Sequence, residues 1–272
     1  MMKIAKIVAS KKRKARYHVY LEEDGSETYG FTVEEDTLIN EGLKQGQQLD
    51  RTRINKLLES DTLQRSYAQS IRYLTYRMRS IQEVRDYLRS KDTIEGQIEQ
   101  IINRLLKEKL LDDLAFAKAY VSSKSTTTLR GPLKLQHELK NKGVSEGNIR
   151  QALEQYHFNN QVKDVEKWLN SQLNRRQRIS FHQRKNKLKQ ALMQKGFNSA
   201  VINQALAMAL AENEPHDEWE SLCFQGEKIV DRLKKKVTGY ELKHKVKGTL
   251  YQKGYPLDLI ERFIDQQATF FD

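Results

Sequence analysis

Basic side chains are the residues in this sequence whose number and spacing most clearly predict chemistry. The chain has 48 Lys and Arg residues against 36 Asp and Glu residues, which gives a formal net charge of +12. No acidic residue occurs between positions 167 and 211, although that stretch contains nine basic ones. Crowded like charges repel one another, and they bind phosphates well because binding releases counterions. We therefore favour a polyanion-binding surface here and at 231–247, with a solvated surface as the alternative.

A second basic segment, "IRYLTYRMRS" at 71–80, interleaves arginines with aromatic residues. Such interleaving is typical of surfaces that stack on bases and hold phosphates. The candidate residues are Arg72, Tyr76, Arg77 and Arg79. The alternative is a helix whose tyrosines pack inward while its arginines face water, and the residues leave both interpretations open. Tyr73 is the tyrosine that we expect in the core.

Motifs for catalysis or metal binding are missing from the sequence. It has no phosphate-binding glycine loop, no dinucleotide fingerprint and no nucleophile motif. The six histidines and Cys223 show no metal-ligand spacing. The pair Asp112-Asp113 precedes an apolar helix, so we interpret it as a helix cap rather than as a metal or acid–base site. The sequence thus predicts a protein that is not an enzyme, with no catalytic residues, metal or cofactor.

Composition narrows the class of protein further. The 272 residues include 38% hydrophobic and 31% charged residues, a balance that suits small or elongated domains with much exposed surface. No run of about 18 apolar residues predicts a membrane span, and the first residues lack the apolar core of a signal peptide. A single cysteine excludes an internal disulfide framework and fits a reducing cytoplasm.

One phrase recurs four times and indicates internal duplication. Its copies begin at Lys91, Lys142, Lys195 and Lys253. Successive copies start 51, 53 and 58 residues apart, and matching apolar residues lie on both sides of each lysine. Spacings of three and four residues place these columns on the apolar stripes of two amphipathic helices. The columns are Val84, Leu135, Leu188 and Val246; Leu88, Leu139, Leu192 and Leu250; Ile98, Ile149, Ile202 and Ile260; and Ile102, Leu153, Leu206 and Ile264.

Glycine follows the lysine in three of the four copies. Gly143, Gly196 and Gly254 suit the left-handed residue that ends a helix, and Asp92 takes that place in the first copy. A third helix is predicted before each pair. Each repeat is therefore expected to be a three-helix unit of roughly 50 residues.

The sequence as a whole predicts a mainly α fold, in which tandem three-helix repeats form an elongated curved solenoid behind a small N-terminal β-hairpin or sheet region. Repeats of this size must pack in series because each buries little by itself. We expect an N-terminal β-hairpin with short helices at 1–60, followed by repeats at 61–113, 114–161, 162–214 and 215–272.

The first 60 residues differ from the repeats because apolar and polar residues alternate there. With a turn at Asp24-Gly25, this alternation predicts an antiparallel hairpin or a three-stranded sheet. Two triplets are each expected to share one face, namely Tyr17, Val19 and Leu21, and Tyr29, Phe31 and Val33. The segments "LINEGLKQGQQLD" and "RTRINKLLES" predict two short helices that lead into the first repeat.

The most specific stretch, "LLKEKLLDDLAFAKAYVSSKS" together with "LRGPLKLQHELKNKGVSEGNIRQAL", resembles the RecX family of bacterial regulatory proteins. The preceding "IRYLTYRMRSIQEVRDYLRSK" is similar to the opening of the same family pattern. The matching positions are Leu74, Tyr76, Arg77, Arg79, Ser80, Glu83, Val84 and Leu88 in the opening, then Leu111, Asp112, Asp113, Phe116, Ala117, Tyr120, Val121, Gly131, Leu135, Glu138, Leu139, Lys142, Gly143, Val144 and Ile149. The resemblance covers 65–153 well and the later repeats more weakly.

This resemblance implies a non-enzymatic regulator that binds the RecA recombinase filament on DNA along its groove. It implies inhibition of filament growth, strand exchange and coprotease stimulation, with effects on recombination, DNA repair and the SOS response. It also implies binding of single- and double-stranded DNA, and we expect a cytoplasmic monomer without a membrane partner. A stand-alone DNA-binding protein is the alternative, since three-helix units also read DNA grooves.

The residues expected to contact the filament or nucleic acid are all basic or aromatic. They are Arg72, Tyr76, Arg77, Arg79, Arg130, Arg175, Arg176, Arg178, Arg184, Lys185, Lys187, Lys189, Lys243, Lys245 and Lys247. Contacts spread over several repeats would make binding multivalent, so that affinity does not depend on a single pocket.

Overall fold

A computed structural model describes residues 1–11, 15–175, 177–212 and 218–268. Its strands are β1 (Met2–Ala9), β2 (Arg16–Glu23), β3 (Ser26–Glu34) and β4 (Gln48–Leu49), with helix α1 (Glu35–Asn40) between β3 and β4. The helices that follow are α2 (Arg51–Thr75), α3 (Ile81–Arg89), α4 (Glu95–Lys107), α5 (Asp113–Thr128), α6 (Pro132–Asn141), α7 (Glu146–Glu154), α8 (Phe158–Leu173), α9 (Phe181–Gln194), α10 (Ser199–Glu212), α11 (Glu218–Leu233), α12 (Gly239–Gln252) and α13 (Leu257–Gln266). Two compact units make up the chain, one formed by 1–116 with 142–145 and the other by 117–141 with 146–272.

The helices after the sheet occur in groups of three, as the repeat predicts. The first module contains α2–α4, the second α5–α7, the third α8–α10 and the fourth α11–α13. The apolar columns lie on the second and third helix of each module. All of their members except the half-buried Leu153 are buried, and one column, formed by Leu88, Leu139, Leu192 and Leu250, is 0% exposed throughout. The prediction of tandem three-helix repeats is therefore confirmed.

The N-terminal sheet has four antiparallel strands in the order β3-β2-β1-β4. It contains one strand more than predicted, because β4 pairs with the start of β1. One face of the sheet packs against α1 and α2. The core on that side is formed by Ile4, Val19, Leu21, Phe31, Val33, Leu43, Leu49 and Leu57.

Tyr29 does not share a face with Phe31 and Val33, so that prediction is wrong. Phe31 pairs with Val19 of β2, and Tyr29 pairs with the next residue of β2, Tyr20. Gly30 is therefore an extra residue in β3 with no partner in β2. A bulge of this kind moves the residues beyond it to the other face of the sheet. Tyr29 is accordingly 58% exposed, whereas Phe31 is 4% exposed.

The prediction of two short helices before the first repeat is also wrong. Residues 51–60 belong to α2, which continues for 25 residues into the first repeat and crosses the expected boundary at residue 60. The Asp50 carboxylate caps this helix, since its Oδ1 accepts a hydrogen bond from Arg53 N at 2.6 Å. No glycine or proline lies between 51 and 75, so nothing in the local sequence ends the helix. The preceding segment, 38–50, contains the last residues of α1 and strand β4, and it forms no separate helix.

The turns between the second and third helices have the predicted left-handed residue. The φ angles are 74° at Gly143, 90° at Gly196 and 80° at Gly254, and Asp92 has 58° in the first module. Close packing gives a second reason for glycine. A Cβ atom on Gly196 would lie 2.3 Å from the backbone nitrogen of Lys134, so a side chain there requires the backbone to move.

The carbonyl oxygen of the lysine before each of these glycines accepts a hydrogen bond from the start of a middle helix in the preceding module. The three pairs are Ser80 Oγ with Lys142 O at 2.7 Å, Gly131 N with Lys195 O at 2.8 Å, and Ser180 Oγ with Lys253 O. The repeated phrase is thus both a turn within a module and the point where the neighbouring helix docks. This double use explains why it recurs.

Carboxylates at the start of two modules complete these junctions. Asp112 Oδ1 accepts hydrogen bonds from two N–H groups in the first turn of α5, at 2.8 and 2.9 Å, which confirms the predicted cap. Asp113 instead accepts from Ile81 N at 2.9 Å, and Glu218 accepts from Phe181 N at 2.8 Å. Burial raises the pKa of both Asp113 and Glu218, and the backbone hydrogen bond partly offsets that rise.

Candidate nucleic-acid interface

Helix α9 carries four of the predicted basic residues. Three of them, Lys185, Lys187 and Lys189, are here called the α9 triplet. Leu188 and Leu192 are buried and fix the orientation of the helix. Lys187 is exposed, and Lys185 and Lys189 are half-buried. Helix α9 contains no acidic residue, and within the described residues no ion pair forms with any member of the triplet. The α9 triplet is therefore a local excess of positive charge.

Helix α12 carries lysines at the matching repeat positions. When Val246 is aligned with Leu188 of the same apolar column, three lysines of α12 fall on the positions of the α9 triplet. They are Lys243, Lys245 and Lys247, here called the α12 triplet. At the same positions the first module has Ile81, Glu83 and Arg85, and the second has Pro132, Lys134 and Gln136. A lysine triplet is thus specific to the third and fourth modules.

The two triplets differ in their acidic neighbours. Lys245 Nζ lies 2.6 Å from Glu241 Oε1, and Lys247 Nζ lies 2.7 Å from Glu261 Oε1. Lys243 is exposed and has no ion pair in the part of the chain that the structure describes. These pairs are surface pairs, so the partners hold the lysines only weakly. The α12 triplet is consequently less positive than the α9 triplet.

The Arg184 guanidinium is held by hydrogen bonds within the protein and is not open to a partner. Its Nη2 donates to the carbonyl oxygens of Gln172, Leu173 and Arg175 at 2.6, 2.8 and 2.5 Å. The last carbonyl groups of a helix have no partner within the helix, and a guanidinium can satisfy several of them at once. Arg184 therefore closes the end of α8, which the sequence did not predict.

The connection between α8 and α9 adds exposed cations next to the α9 triplet. Arg175 and Arg178 are exposed there. The Arg178 guanidinium also lies over the Phe224 ring, 4.4 Å from its centroid, a geometry that favours a cation–π contact. Arg176, another predicted contact residue, lies outside the described residues.

Arg77 in the first module is paired with a carboxylate. Its Nη2 lies 3.0 Å from Glu83 Oε1, and Lys142 Nζ lies 2.7 Å from the same oxygen. Burial alone would raise the pKa of Glu83, but hydrogen bonds from Arg77, Lys142 and the backbone N–H of Ser80 lower it to about 2. Glu83 is therefore ionised at neutral pH. It neutralises the charge of Arg77, which the sequence predicted to contact the filament or nucleic acid.

The aromatic and arginine residues near Arg77 have separate roles. Tyr73 stacks on Tyr87 with ring centroids 4.1 Å apart, and the Arg79 guanidinium lies 4.1 Å from the Tyr73 centroid. The expectation that Tyr73 packs against the core is confirmed. Tyr76 is 79% exposed, and Arg72 is exposed too. Tyr76 and Arg72 are thus exposed residues of this segment that form no ion pair among the described residues.

Arg130 lies in the connection between α5 and α6. Its Nε lies 3.6 Å from Glu138 Oε1, and the Tyr120 hydroxyl donates to the other oxygen of the same carboxylate at 3.0 Å. Like Arg77, it has an acidic partner within its own part of the chain. Arg77 and Arg130 are thus paired with carboxylates, whereas no member of the α9 triplet has an acidic partner among the described residues.

A groove of about 530 Å³ beside the end of α5 was not predicted. Its lining includes the hydroxyl run from Ser125 to Thr128 together with Lys167, Trp168 and Lys195. Lys195 Nζ lies 5.8 Å from the Trp168 ring and 3.5 Å from Thr128 O. The hydroxyl run "STTT" was a visible signal, but its partner Trp168 lies too far along the chain for a sequence pattern to connect them.

Within the described residues, no group of three or more His, Cys, Asp or Glu side chains is placed to hold a metal ion. None of the helices in that part of the chain has both the length and the apolar character that a membrane span requires. Repeated three-helix modules with lysine-rich helix surfaces define the class of this protein. It is a helical repeat protein with basic helix surfaces in its later modules.

Family models for three RecX domains match the chain. The first three-helix domain matches 67–105, the second matches 112–153, and the third matches twice, at 165–206 and 216–264. Regulatory protein RecX of Oceanobacillus iheyensis is 43% identical over 267 residues, which cover 98% of each chain. The protein of the same name from Halalkalibacterium halodurans is 41% identical over 96% of this chain and 98% of its own. The chain belongs to the RecX family of regulatory proteins.

Solved structures are similar to the fold as well. A crystal structure of regulatory protein RecX has a TM-score of 0.61 at 34% identity, and the match covers 76% of this chain and 100% of that one. The crystal structure of RecX from Lactobacillus salivarius has a TM-score of 0.51 at 32% identity, covering 55% of this chain and 97% of that one. The double match to the third domain supports the third and fourth modules as copies of one unit.

Proposed function

We propose that this chain binds the RecA recombinase filament on DNA and modulates its activities, mainly by inhibition. The affected activities are recombination, ATP hydrolysis and coprotease stimulation, and through them DNA repair and the SOS response. Membership of the RecX family supports a regulator, since the relatives in the comparisons are named regulatory proteins. The partner itself is proposed from the family resemblance and from the chemistry of the basic surface.

The α9 triplet is the observation that carries this proposal. Three lysines without an acidic partner among the described residues repel one another in the free protein. Phosphates or carboxylates of a partner relieve that repulsion, and phosphate contacts also release condensed counterions. A filament of protein on DNA offers both kinds of anion along its length.

The repetition of lysines in two consecutive modules supports a partner that is itself repetitive. The α9 and α12 triplets occupy equivalent positions of the same kind of domain. Two weak contacts on one chain act at a high effective concentration once the first has formed, so together they bind more tightly than either alone. A single short ligand would engage only one of them.

Recombinase-dependent ATP hydrolysis on single-stranded DNA tests the proposal. With substoichiometric amounts of the purified chain we expect the hydrolysis rate to fall, because a bound chain blocks filament growth. Substitution of the α9 triplet by Gln should remove most of this inhibition. Arg85→Gln with Arg89→Gln is the matched control, and it should retain inhibition because both arginines are already paired. A rate that the unmodified chain leaves unchanged would contradict the proposal.

A stand-alone DNA-binding protein is the second candidate, and the same unpaired lysines favour it. The two functions differ in their need for recombinase. Sequence-specific binding to duplex DNA, together with an unchanged rate of recombinase-dependent hydrolysis, would select the second candidate. Binding that increases when the filament is assembled would select the first.

A further inference from the structure

The N-terminal sheet has a second face that the core does not cover. Its covered face packs on α1 and α2, as described above. On the open face the strand register places His18 opposite Thr32, and Tyr20 between Lys6 and Tyr29. None of these five residues is buried. Aromatic and basic side chains from three neighbouring strands therefore lie side by side on an accessible surface.

The side chains of the open face hold one another in position. The Tyr29 ring lies 6.1 Å from both the His18 and the Tyr20 rings, each time edge to face. Thr32 Oγ1 lies 2.8 Å from the Tyr29 hydroxyl and 2.7 Å from His18 Nδ1. Lys6 Nζ lies 4.6 Å from the Tyr20 ring centroid. Rings held on a rigid sheet lose little conformational freedom when a ligand stacks on them.

The bulge at Gly30 is what brings Tyr29 to this face. Without the extra residue, Tyr29 would point with Phe31 toward the core, where its ring would be buried. A Cβ atom at position 30 would lie 2.6 Å from the Leu21 side chain, so any residue other than glycine there requires Leu21 to shift. The local sequence thus places a large ring, 58% exposed, where packing gains little from it.

Strand β1 brings lysines to the open face, where Glu22 and Glu27 offset part of their charge. Lys3, Lys6 and Lys11 are exposed on or next to β1. Lys6 pairs with Glu27, so a phosphate that replaces this carboxylate gains little there. Lys3 and Lys11 form no ion pair among the described residues and supply the unpaired charge. Sheet surfaces that combine exposed aromatic rings with nearby lysines bind unpaired bases by stacking, while the cations hold the phosphates.

We propose that the open face of the N-terminal sheet binds single-stranded nucleic acid. Bases stack on Tyr29, Tyr20 and His18, and the backbone runs along Lys6 and Lys11. A duplex is a poor ligand because its bases already stack on one another and do not reach the rings. The face lies before the first match to a RecX domain, at residue 67. It is a site additional to the lysine triplets and does not depend on the proposed recombinase partner.

Photocrosslinking to an oligothymidylate that carries 5-iodouracil tests the site in the full chain. The α9 triplet is first replaced by Gln, so that binding through α9 does not mask the sheet. We expect crosslinks on peptides that contain Tyr20 or Tyr29. Tyr29→Ala should weaken binding of the oligothymidylate about fivefold or more and remove its crosslink. Tyr29→Phe keeps the ring and should bind nearly as well as the parent.

Two further variants act as controls. Ile39→Ala removes an exposed apolar residue of α1, the helix on the covered side, and should leave binding unchanged. Glu27→Gln removes the carboxylate beside Lys6 and should tighten binding. Circular dichroism and the Tm confirm that each variant is folded.

Crosslinks confined to other parts of the chain, or equal affinity for the parent and Tyr29→Ala, would overturn the assignment. Loss of recombinase inhibition by Tyr29→Ala, tested in the chain with an intact α9 triplet, would assign the face to a protein partner if oligothymidylate binding stays unchanged. That result would overturn the proposal too. If the chain does not inhibit the recombinase, the crosslink to the sheet can still form. The two experiments therefore test the two proposals independently.

Discussion

In the first module, arginines of the second helix are held against carboxylates of the third, whereas α9 in the third module carries lysines that meet no acid among the described residues. Arg85 Nε lies 2.9 Å from Glu99 Oε1, and Arg89 Nη2 lies 2.6 Å from Glu95 Oε1. Both modules have the same apolar columns and the same turn. Their charges differ because outward positions of a helix hairpin are free of the packing constraints that fix the columns.

This difference indicates which of the basic residues behind the net charge of +12 are available to bind a partner. The net gain in free energy is small when a cation that already faces a carboxylate binds a phosphate, because the phosphate only replaces the carboxylate. A cation without such a partner gains the full contact. The first module therefore uses its charges mainly within the protein, and the α9 triplet offers its charges to a partner. The α12 triplet, with two paired lysines, lies between these cases.

Neutralising the α9 triplet should produce the largest effect. Gln at its three positions should weaken DNA binding about a hundredfold at low salt and reduce the slope of log K against log salt by about three, since each phosphate contact contributes roughly 0.9. The same change in the α12 triplet should reduce the slope by only about one, because Lys243 is its unpaired member. Fluorescence anisotropy over a salt series measures both slopes. Equal slopes for the two variants would contradict the difference in unpaired charge between the α9 and α12 triplets.

Glu83 should be the most important single charge for stability. Glu83→Gln leaves Arg77 and Lys142 without their shared carboxylate, whose side chain is only 17% exposed, and should lower the free energy of unfolding by about 2 kcal/mol. Denaturant unfolding followed by circular dichroism measures the change. Glu99→Gln removes an exposed carboxylate of the same module and is the control.

The pKa of Glu83 also predicts a dependence on pH. Its pKa is lowered from 4.5 to about 2 in the folded chain, so the unfolded chain binds the proton more readily. The stability that Glu83 contributes is therefore present above pH 4.5, and it is lost as the pH falls toward 2. The difference in stability between the parent and Glu83→Gln should shrink over this range. A difference that stays constant with pH would contradict the assignment.

The pair of Arg85 and Glu99 should have the smallest effect. Both side chains are partly exposed to solvent, so a double-mutant cycle with Arg85→Ala and Glu99→Ala should give a coupling much smaller than the effect of Glu83→Gln. The cycle is measured by urea unfolding. A coupling as large as the effect of Glu83→Gln would show that exposure does not separate structural charges from weak ones in this module.

The repeat could be predicted from the sequence because its signals are local. Columns of apolar residues at helical spacing, a glycine where φ is positive, and Asp112 before an apolar helix each depend on a few neighbouring residues. Such features need no information about the rest of the chain. The predictions for them are confirmed.

Most of the failures have a different physical cause. The length of α2 is the exception, because the lack of glycine and proline over 51–75 is visible in the sequence. The bulge at Gly30, in contrast, depends on how β3 fits beside β2. Arg184 and Arg77 look like free cations in the sequence, but they meet carbonyls or a carboxylate that only folding brings near. Counting charges along the chain therefore overestimates how many are available at the surface.

The sequence by itself determined the number of modules, the helices that carry the apolar columns and the places where the chain turns, since these follow from the spacing and conformational preferences of nearby residues. The tertiary structure decided which charges are paired, which helix each carboxylate caps and which face of the sheet presents its rings. The reason is that pairing and exposure depend on distances between residues far apart in the chain, and those distances exist only after the modules have packed.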